Sequence, residues 1–266
     1  MHPLIAKLSL DGDPELLHER RGTTFFKVSD TALKITSGLM AGREGEVLAA
    51  LGADHYRAHG RYGDGTWLTM RWIDGTSLWD ALGPAHRGGD TPAMRRAVLT
   101  AATGAAEALA ELHAGGWTHG DLQPDHVVFE DDAVRIIDLA CAQGPVPVPF
   151  YVHRGGLAHT TAPETAAAIL DTTDHISTTP EADVWSLAAS LFWSWTRIPP
   201  TNYRDPQGCR TDLLPDIAAG RQHDLEAVRP LPFPDFEGVM EFGLAHEPEQ
   251  RPSARSLAEL LRVVAP

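Results

Sequence analysis

Thr118-His-Gly-Asp-Leu-Gln-Pro-Asp-His126, followed twelve residues beyond His126 by Asp138-Leu-Ala140, sets carboxylates on either side of a short apolar stretch. Upstream, from Pro92 to Ala114, small and apolar residues recur at i, i+3, i+4 and i+7 through Met94, Val98, Ala101, Ala105, Ala108 and Leu112. That period predicts a long amphipathic helix, stopped by Gly115-Gly116, so Asp121 falls in a loop directly after it. Downstream, Val127-Val-Phe129 and Val134-Arg-Ile-Ile137 read as two short strands around the acidic turn Glu130-Asp131-Asp132. Asp138 then stands at the end of a hairpin, and both carboxylates sit on loops carried by regular elements, where binding and catalytic groups concentrate.

Toward the N-terminus, Phe25-Phe-Lys-Val28 and Ala32-Leu-Lys-Ile35 flank the turn-forming Ser29-Asp30 and read as a β-hairpin with Gly22 at its mouth. Arg43 to Leu51 carries Val47, Leu48 and Leu51 at helical spacing, and Trp67 to Ile73 is a further strand ended by Asp74-Gly75. Residues 1 to about 75 are therefore strand-rich with one helix. Toward the C-terminus the pattern turns helical, near Ala182 to Trp195, Phe236 to Ala245, and Ser253 to Val264 with Ser253 as cap. Residues 141 to 161, rich in Pro and Gly, read as a long surface loop, and loops of that length inside a compact domain are usually functional. The Asp/Pro/Gly-rich region 200 to 235 reads as an irregular insert between helices.

Composition narrows the classes. The 266 residues are 43% hydrophobic, enough for a sizeable core, and carry 36 acidic against 22 basic side chains, a net charge of -14. That balance argues against nucleic-acid binding and favours cationic small molecules or basic peptides. Cys141 and Cys209, with no CxxC spacing, imply neither a disulfide framework nor a cysteine zinc site, and a reducing cytoplasm fits. The N-terminus lacks a basic flank before a long apolar run, and no stretch of about 18 apolar residues occurs, so neither secretion nor a membrane partner is expected.

Phosphoryl transfer asks for a positioned nucleotide, charge neutralisation by metal, and a carboxylate near the attacking hydroxyl. The order of a strand lysine, an acid on the following helix, Asp121 after a long helix and Asp138 after a hairpin resembles the protein kinase-like superfamily, from about Phe25 to Leu261. The resemblance implies an α+β, bilobal kinase-like fold: one domain over 1–266, with a small strand-rich N-lobe (1–75) and a larger, mostly helical C-lobe (76–266).

Under that resemblance Asp121 is the catalytic carboxylate that orients the acceptor hydroxyl, and Lys34 in Ala32-Leu-Lys-Ile35 contacts the α and β phosphates. Glu44 is the lysine's partner, with Glu46 as the competing candidate. Asp138 is the metal ligand. Met70 lies behind the adenine, with Arg71 and Ile73 supplying main-chain contacts. Glu19-Arg-Arg-Gly22-Thr-Thr-Phe-Phe stands where the family has a glycine-rich phosphate loop, so Gly22, Thr23 and Thr24 are the phosphate-side residues. His126 occupies the family's second metal-ligand position; as an imidazole it suits transition metals better than magnesium, or else it packs against the loop while one metal suffices. Gly120 replaces the arginine of many regulated members, which implies no obligatory phosphorylation of the long loop, and Gln123 replaces a lysine. Glu164 with Arg251 is expected as a buried ion pair, and Asp183 as the anchor of the loop holding Asp121.

The cofactors implied are ATP and Mg2+ or Mn2+. Thr161-Ala-Pro-Glu164 and Arg251 resemble protein kinases, so the leading expectation is transfer to a Ser or Thr hydroxyl of a protein or peptide in the cytoplasm, including a natural-product precursor peptide of the lanthipeptide type. His119-Gly-Asp121 and the sparse glycines resemble aminoglycoside phosphotransferases, which act on a small-molecule hydroxyl acceptor. A pseudokinase that only binds nucleotide or peptide is the third reading.

Overall fold

The computed structural model describes residues 2–131 and 133–266. Asp132 of the expected acidic turn lies outside the described residues. The chain clusters into two compact units, one strand-rich and one helical, which give the α+β class expected from sequence.

The strand-rich unit takes in the chain up to Asp74 with Asp138–Ala140 and Val146–Phe150. It runs α1 (Pro3–Lys7), β1 (Pro14–Arg20), β2 (Thr23–Val28), β3 (Thr31–Thr36), α2 (Met40–Leu51), β4 (Tyr56–Tyr62) and β5 (Gly65–Arg71). The strands form one antiparallel sheet in the order β1-β2-β3-β5-β4. β1 and β2 are joined by two residues, Arg21 (φ 51°) and Gly22 (φ 74°), the positive pair that a tight hairpin turn demands. Leu4, Ile5, Val28, Leu33 and Ile35 close a small core. The middle strand β3 is buried except at Lys34, which is half-buried. α2 packs closely on the sheet: a Cβ at Gly45 would overlap the His59 ring, and one at Gly42 would stand 2.9 Å from Thr66.

The helical unit holds β6 (Thr76–Ser77), α3 (Leu78–Ala81), α4 (Pro92–Ala114), β7 (Val127–Glu130), β8 (Ala133–Ile136), α5 (Pro163–Asp171), α6 (Pro180–Thr196), α7 (Arg210–Ala218), α8 (Leu225–Val228), α9 (Pro234–Gly243) and α10 (Ala254–Val263). α4 has the predicted bounds because Thr91 caps it, its hydroxyl accepting from the Met94 N–H at 3.1 Å, while Pro92 fixes the first turn. α6 is capped in the same way by Thr179 and buries Trp185, Phe192 and Trp195 along its length. Ser253 caps α10 as expected. Between β8 and α5 the backbone is irregular except for short 3-10 turns, as the Pro and Gly content predicted, although His153, Thr160 and Thr161 in it are buried.

The sequence reading of 200 to 235 as irregular is corrected. α7 and α8 lie there, with Leu213, Leu214, Ile217 and Leu225 buried. A capping box, in which Asp212 accepts from the Cys209 N–H at 2.9 Å, starts α7 despite Pro215 inside it. β5 ends at Arg71, two residues short of the expected Ile73, with the Trp72 N–H making one last in-register bond to the Asp30 carbonyl at 2.6 Å.

Candidate active site

In the strand-rich unit, Lys34 lies between two carboxylates, its Nζ 2.7 Å from Glu44 Oε2 and 2.7 Å from Asp138 Oδ1. Glu44 is 2% exposed and Asp138 39%, so the lysine joins a buried acid to one that faces outward. Burial opposes the charge on Lys34, but the attraction of Glu44 and Asp138 together outweighs it and holds the amine well above the ordinary lysine value. Burial pushes the Glu44 carboxyl up, and the charge of Lys34 pulls it back. Glu46, the competing candidate, points to His59 Nε2 at 3.1 Å.

α2 supplies a second contact that the sequence reading missed. Arg43, also buried, donates to the Ala140 carbonyl at 2.7 Å, while the Leu139 N–H donates to Glu44. Successive residues of one helix thereby grip the backbone just after Asp138, which itself adopts a positive φ of 58°. A non-glycine residue in that region is strained and persists where its surroundings fix it.

The rest of the sheet frames Lys34. Phe25 is its direct cross-strand partner on β2, and His18 on β1 stacks on Phe25 with ring centroids 5.6 Å apart. Phe25 also meets Trp72 at 6.5 Å, and Lys27 Nζ lies 4.5 Å over the Trp72 ring. Burial, then the charges of Arg20 and Lys34, push the His18 imidazole down. Thr23 and Thr24 lie within the β2 ladder, and the Gly22 carbonyl accepts from the Ser37 N–H at 2.8 Å, so only Arg21 and Gly22 form the turn. Met70 and Arg71 are the last residues of β5; the Arg71 N–H is taken by the His55 carbonyl at 2.7 Å, and Ile73 follows beyond the strand.

In the helical unit the loop after α4 is held by one carboxylate. Asp183, 1% exposed on α6, accepts from the His119 N–H at 2.6 Å, the Gly120 N–H at 3.0 Å and His113 Nε2 at 3.1 Å, the anchoring expected of it. His119 is fully buried. Its Nδ1 accepts from the Asp121 N–H at 3.1 Å, so the proton sits on Nε2 and is donated to the Ile137 carbonyl at 3.0 Å. Gly120 has φ 77°, and a Cβ there would stand 2.7 Å from Thr178.

The Asp121 carboxylate that results is oriented rather than loose. Oδ1 accepts from the Leu157 N–H at 2.8 Å and from Gln123 Nε2 at 3.3 Å. Gly156 packs against it so closely that the three atoms nearest to an added Cβ all belong to Asp121. His126 Nδ1 donates to the Asp121 carbonyl at 2.8 Å, so Nδ1 carries a proton and the ring is held against the loop. Among the described residues no group of three His, Cys, Asp or Glu is gathered as a protein-only metal site. The expected Arg251–Glu164 pair forms, bidentate at 2.7 and 2.8 Å, with Arg251 buried and Glu164 32% exposed, so it is half-buried rather than buried.

No family model matches the chain. Curated proteins similar to it are serine/threonine-protein kinases. PAK 4 of Homo sapiens is 27% identical over 202 residues, 75% of this chain and 31% of PAK 4. AfsK of Streptomyces coelicolor is 31% identical over 151 residues, 53% of this chain and 16% of AfsK, and AfsK of Streptomyces griseus is 27% identical over 183 residues, 59% and 20%. The chain thus spans less than a third of the length of these relatives. The similarity supports a protein kinase-like superfamily. No helix of the described residues is long and apolar enough to cross a membrane.

Proposed function

We propose that the chain is an ATP-dependent phosphotransferase of the protein kinase type, acting on a Ser or Thr hydroxyl of a protein or peptide. The observation that carries this is the Asp121 carboxylate, fixed by the Leu157 N–H and Gln123 in a loop anchored on Asp183. An acceptor hydroxyl hydrogen-bonded to that carboxylate gives up its proton there as its oxygen forms the new bond to the γ phosphorus. The bond from that phosphorus to the β,γ-bridging oxygen breaks, and ADP leaves.

Lys34, held by Glu44, neutralises the α and β phosphates in this reading. Gly22, Thr23 and Thr24 lie on the phosphate side, and Met70, Arg71 and Ile73 on the adenine side. Asp138 and His126 are the residues for Mg2+ or Mn2+. Magnesium is commonly held by one or two protein groups plus substrate phosphates, so a carboxylate such as Asp138 suits it without a protein-only cage, and an imidazole such as His126 suits manganese better. When bound, the ion neutralises charge on the transferring phosphoryl group. A natural-product precursor peptide falls within the acceptor class, since its Ser and Thr hydroxyls are the same chemical group. A cytoplasmic location belongs to the same proposal, which Cys141 and Cys209, neither of them in a disulfide, support.

Transfer of labelled γ-phosphate to Ser/Thr peptides tests the proposal. Asp121→Ala should lower the rate by about 10²–10⁴-fold. Undiminished transfer in that variant would overturn the assignment, and nucleotide binding without any transfer by the unaltered protein would make the chain a pseudokinase.

A further inference from the structure

Positive charge beside Asp121 is left without a carboxylate partner. Arg210, the exposed first residue of α7, reaches back over Gly155: its Nη2 lies 3.0 Å from the position of a Gly155 Cβ and donates to the Arg154 carbonyl. Arg154 in turn donates to the carbonyls of Asp174 at 2.9 Å and Ile169 at 2.7 Å. Among the described residues neither guanidinium makes an ion pair, whereas Arg204 and Arg221, close by in sequence, share the buried Asp216 at 2.7 and 3.5 Å. A chain with 36 acidic residues against 22 basic ones has carboxylates to spare, so composition does not account for two neighbouring guanidiniums with none. Burial and the like charge of Arg154 pull the Arg210 guanidinium down, against the attraction of the Asp121 carboxylate.

The path from this cation to the catalytic carboxylate crosses only the Gly155-Gly156 turn, because Gly155 lies under Arg210 and Gly156 lies against Asp121. With Cα atoms about 3.8 Å apart, its ends are no more than about 12 Å from one another. An extended peptide advances about 3.3 Å per residue, so that span covers roughly three residues of a substrate whose hydroxyl sits at Asp121. A guanidinium binds carboxylate and phosphate oxygens in paired, charge-assisted hydrogen bonds.

We infer that Arg210, backed by Arg154, selects acceptor peptides that carry an anionic side chain, carboxylate or phosphate, within about three residues of the phosphorylated hydroxyl. The inference rests on the phosphotransfer reading above. It runs against the whole-molecule charge, which by itself favours a basic peptide; the net field acts over distance, while selection is made by the contacting groups.

Three peptides identical except for Asp, Asn or Lys two residues from one Ser, and a fourth with phosphoserine there, provide the test. The Asp and phosphoserine peptides should exceed the Asn peptide in kcat/KM by about five- to tenfold, with the Lys peptide lowest. Arg210→Gln keeps a donor for the Arg154 carbonyl but removes the charge, and Arg210→Glu reverses it. The ratio of rates between Asp and Lys peptides should fall toward one in the first variant and invert in the second. Fluorescence anisotropy with the same labelled peptides separates the two readings. If nothing is phosphorylated but anionic peptides bind tighter and Arg210→Glu inverts the order, the anion site stands and the transfer reading falls. Equal affinity and equal kcat/KM across the series overturns the anion site and leaves the transfer reading untouched. An advantage of phosphoserine without one for Asp makes phosphate the source of the anion.

Discussion

Gly156→Ala is the substitution that most directly probes how Asp121 is held. Gly156 does not have a positive φ, so alanine meets no backbone penalty there, and the three atoms nearest to an added Cβ all belong to Asp121. The methyl group must push the carboxylate aside or move the turn, and either breaks the 2.8 Å bond from the Leu157 N–H to Oδ1. A hydrogen bond to a charged group contributes about 1.5–3 kcal/mol, and misplacement of a reacting group by about 1 Å costs up to about 10²-fold in rate. We therefore expect kcat for peptide phosphorylation to fall about 10- to 100-fold. The fold should lose only about 1–2 kcal/mol, at the low end for overpacking because the site is half-buried. Steady-state kinetics and thermal unfolding on the same preparation separate the two effects. In an Asp121→Ala background the added Gly156→Ala should cost almost nothing further in turnover, since the group it displaces is gone. A Gly156→Ala protein with kcat within about twofold of the unaltered one would refute the clamp on Asp121.

Three other outcomes follow from the same geometry. His119 is held neutral, its pKa pushed down first by burial and then by the neighbouring His126 charge. A depressed histidine contributes stability in full above its ordinary value of 6.5 and loses it as pH falls through the lower folded value, so His119→Gln should flatten the fall in urea midpoint between about pH 7 and 5. Glu164→Ala leaves the fully buried Arg251 head on carbonyls alone and should cost about 2–3 kcal/mol, less than a fully buried pair because Glu164 is 32% exposed; differential scanning calorimetry reads it as a lowered Tm. An imidazole donor at His126 should favour manganese over magnesium, and His126→Asn should narrow that preference, read by manganese electron paramagnetic resonance with bound ADP as well as by turnover.

What sequence revealed depends on how local each signal is. The helix from Pro92 to Ala114 and its cap are written in consecutive residues, and so are Ser253 and α10. β1 was not legible because it is an edge strand with Leu16 and Leu17 exposed, and a strand without a buried face has no alternation to read. α7 was hidden by Pro215 and by the surrounding Asp and Gly, although its capping box was present in Cys209 to Asp212. The choice between Glu44 and Glu46 needed the helix in place on the sheet, which turns one toward Lys34 and the other toward His59. Gly156 and Arg210 carry no local signal at all: their meaning comes from Asp121, 36 residues before Leu157, and from a loop folded beneath α7.

The loop around Asp121 shows why a single residue outside the reacting groups matters to them. Among the described residues no arginine or lysine pairs with the buried Asp183 carboxylate; two backbone N–H groups and His113 satisfy it instead. Those same N–H groups belong to His119 and Gly120, whose peptide plane sets where Asp121 begins, and His119 then takes the Asp121 N–H. Each backbone N–H from His119 to Asp121 is therefore taken up, two by Asp183 and one by the His119 ring, and the orienting bond from Leu157 acts on a side chain whose backbone is already held. Asp183→Asn keeps the size of the group but replaces one acceptor oxygen with a donor facing an N–H. The cost is an unsatisfied buried pair as well as a lost bond, of the order of 1–3 kcal/mol in stability. Because Asp121 inherits its position from these bonds, the same change should lower turnover at temperatures where the protein is still folded, and His119 and Gly120 amide exchange should accelerate with it.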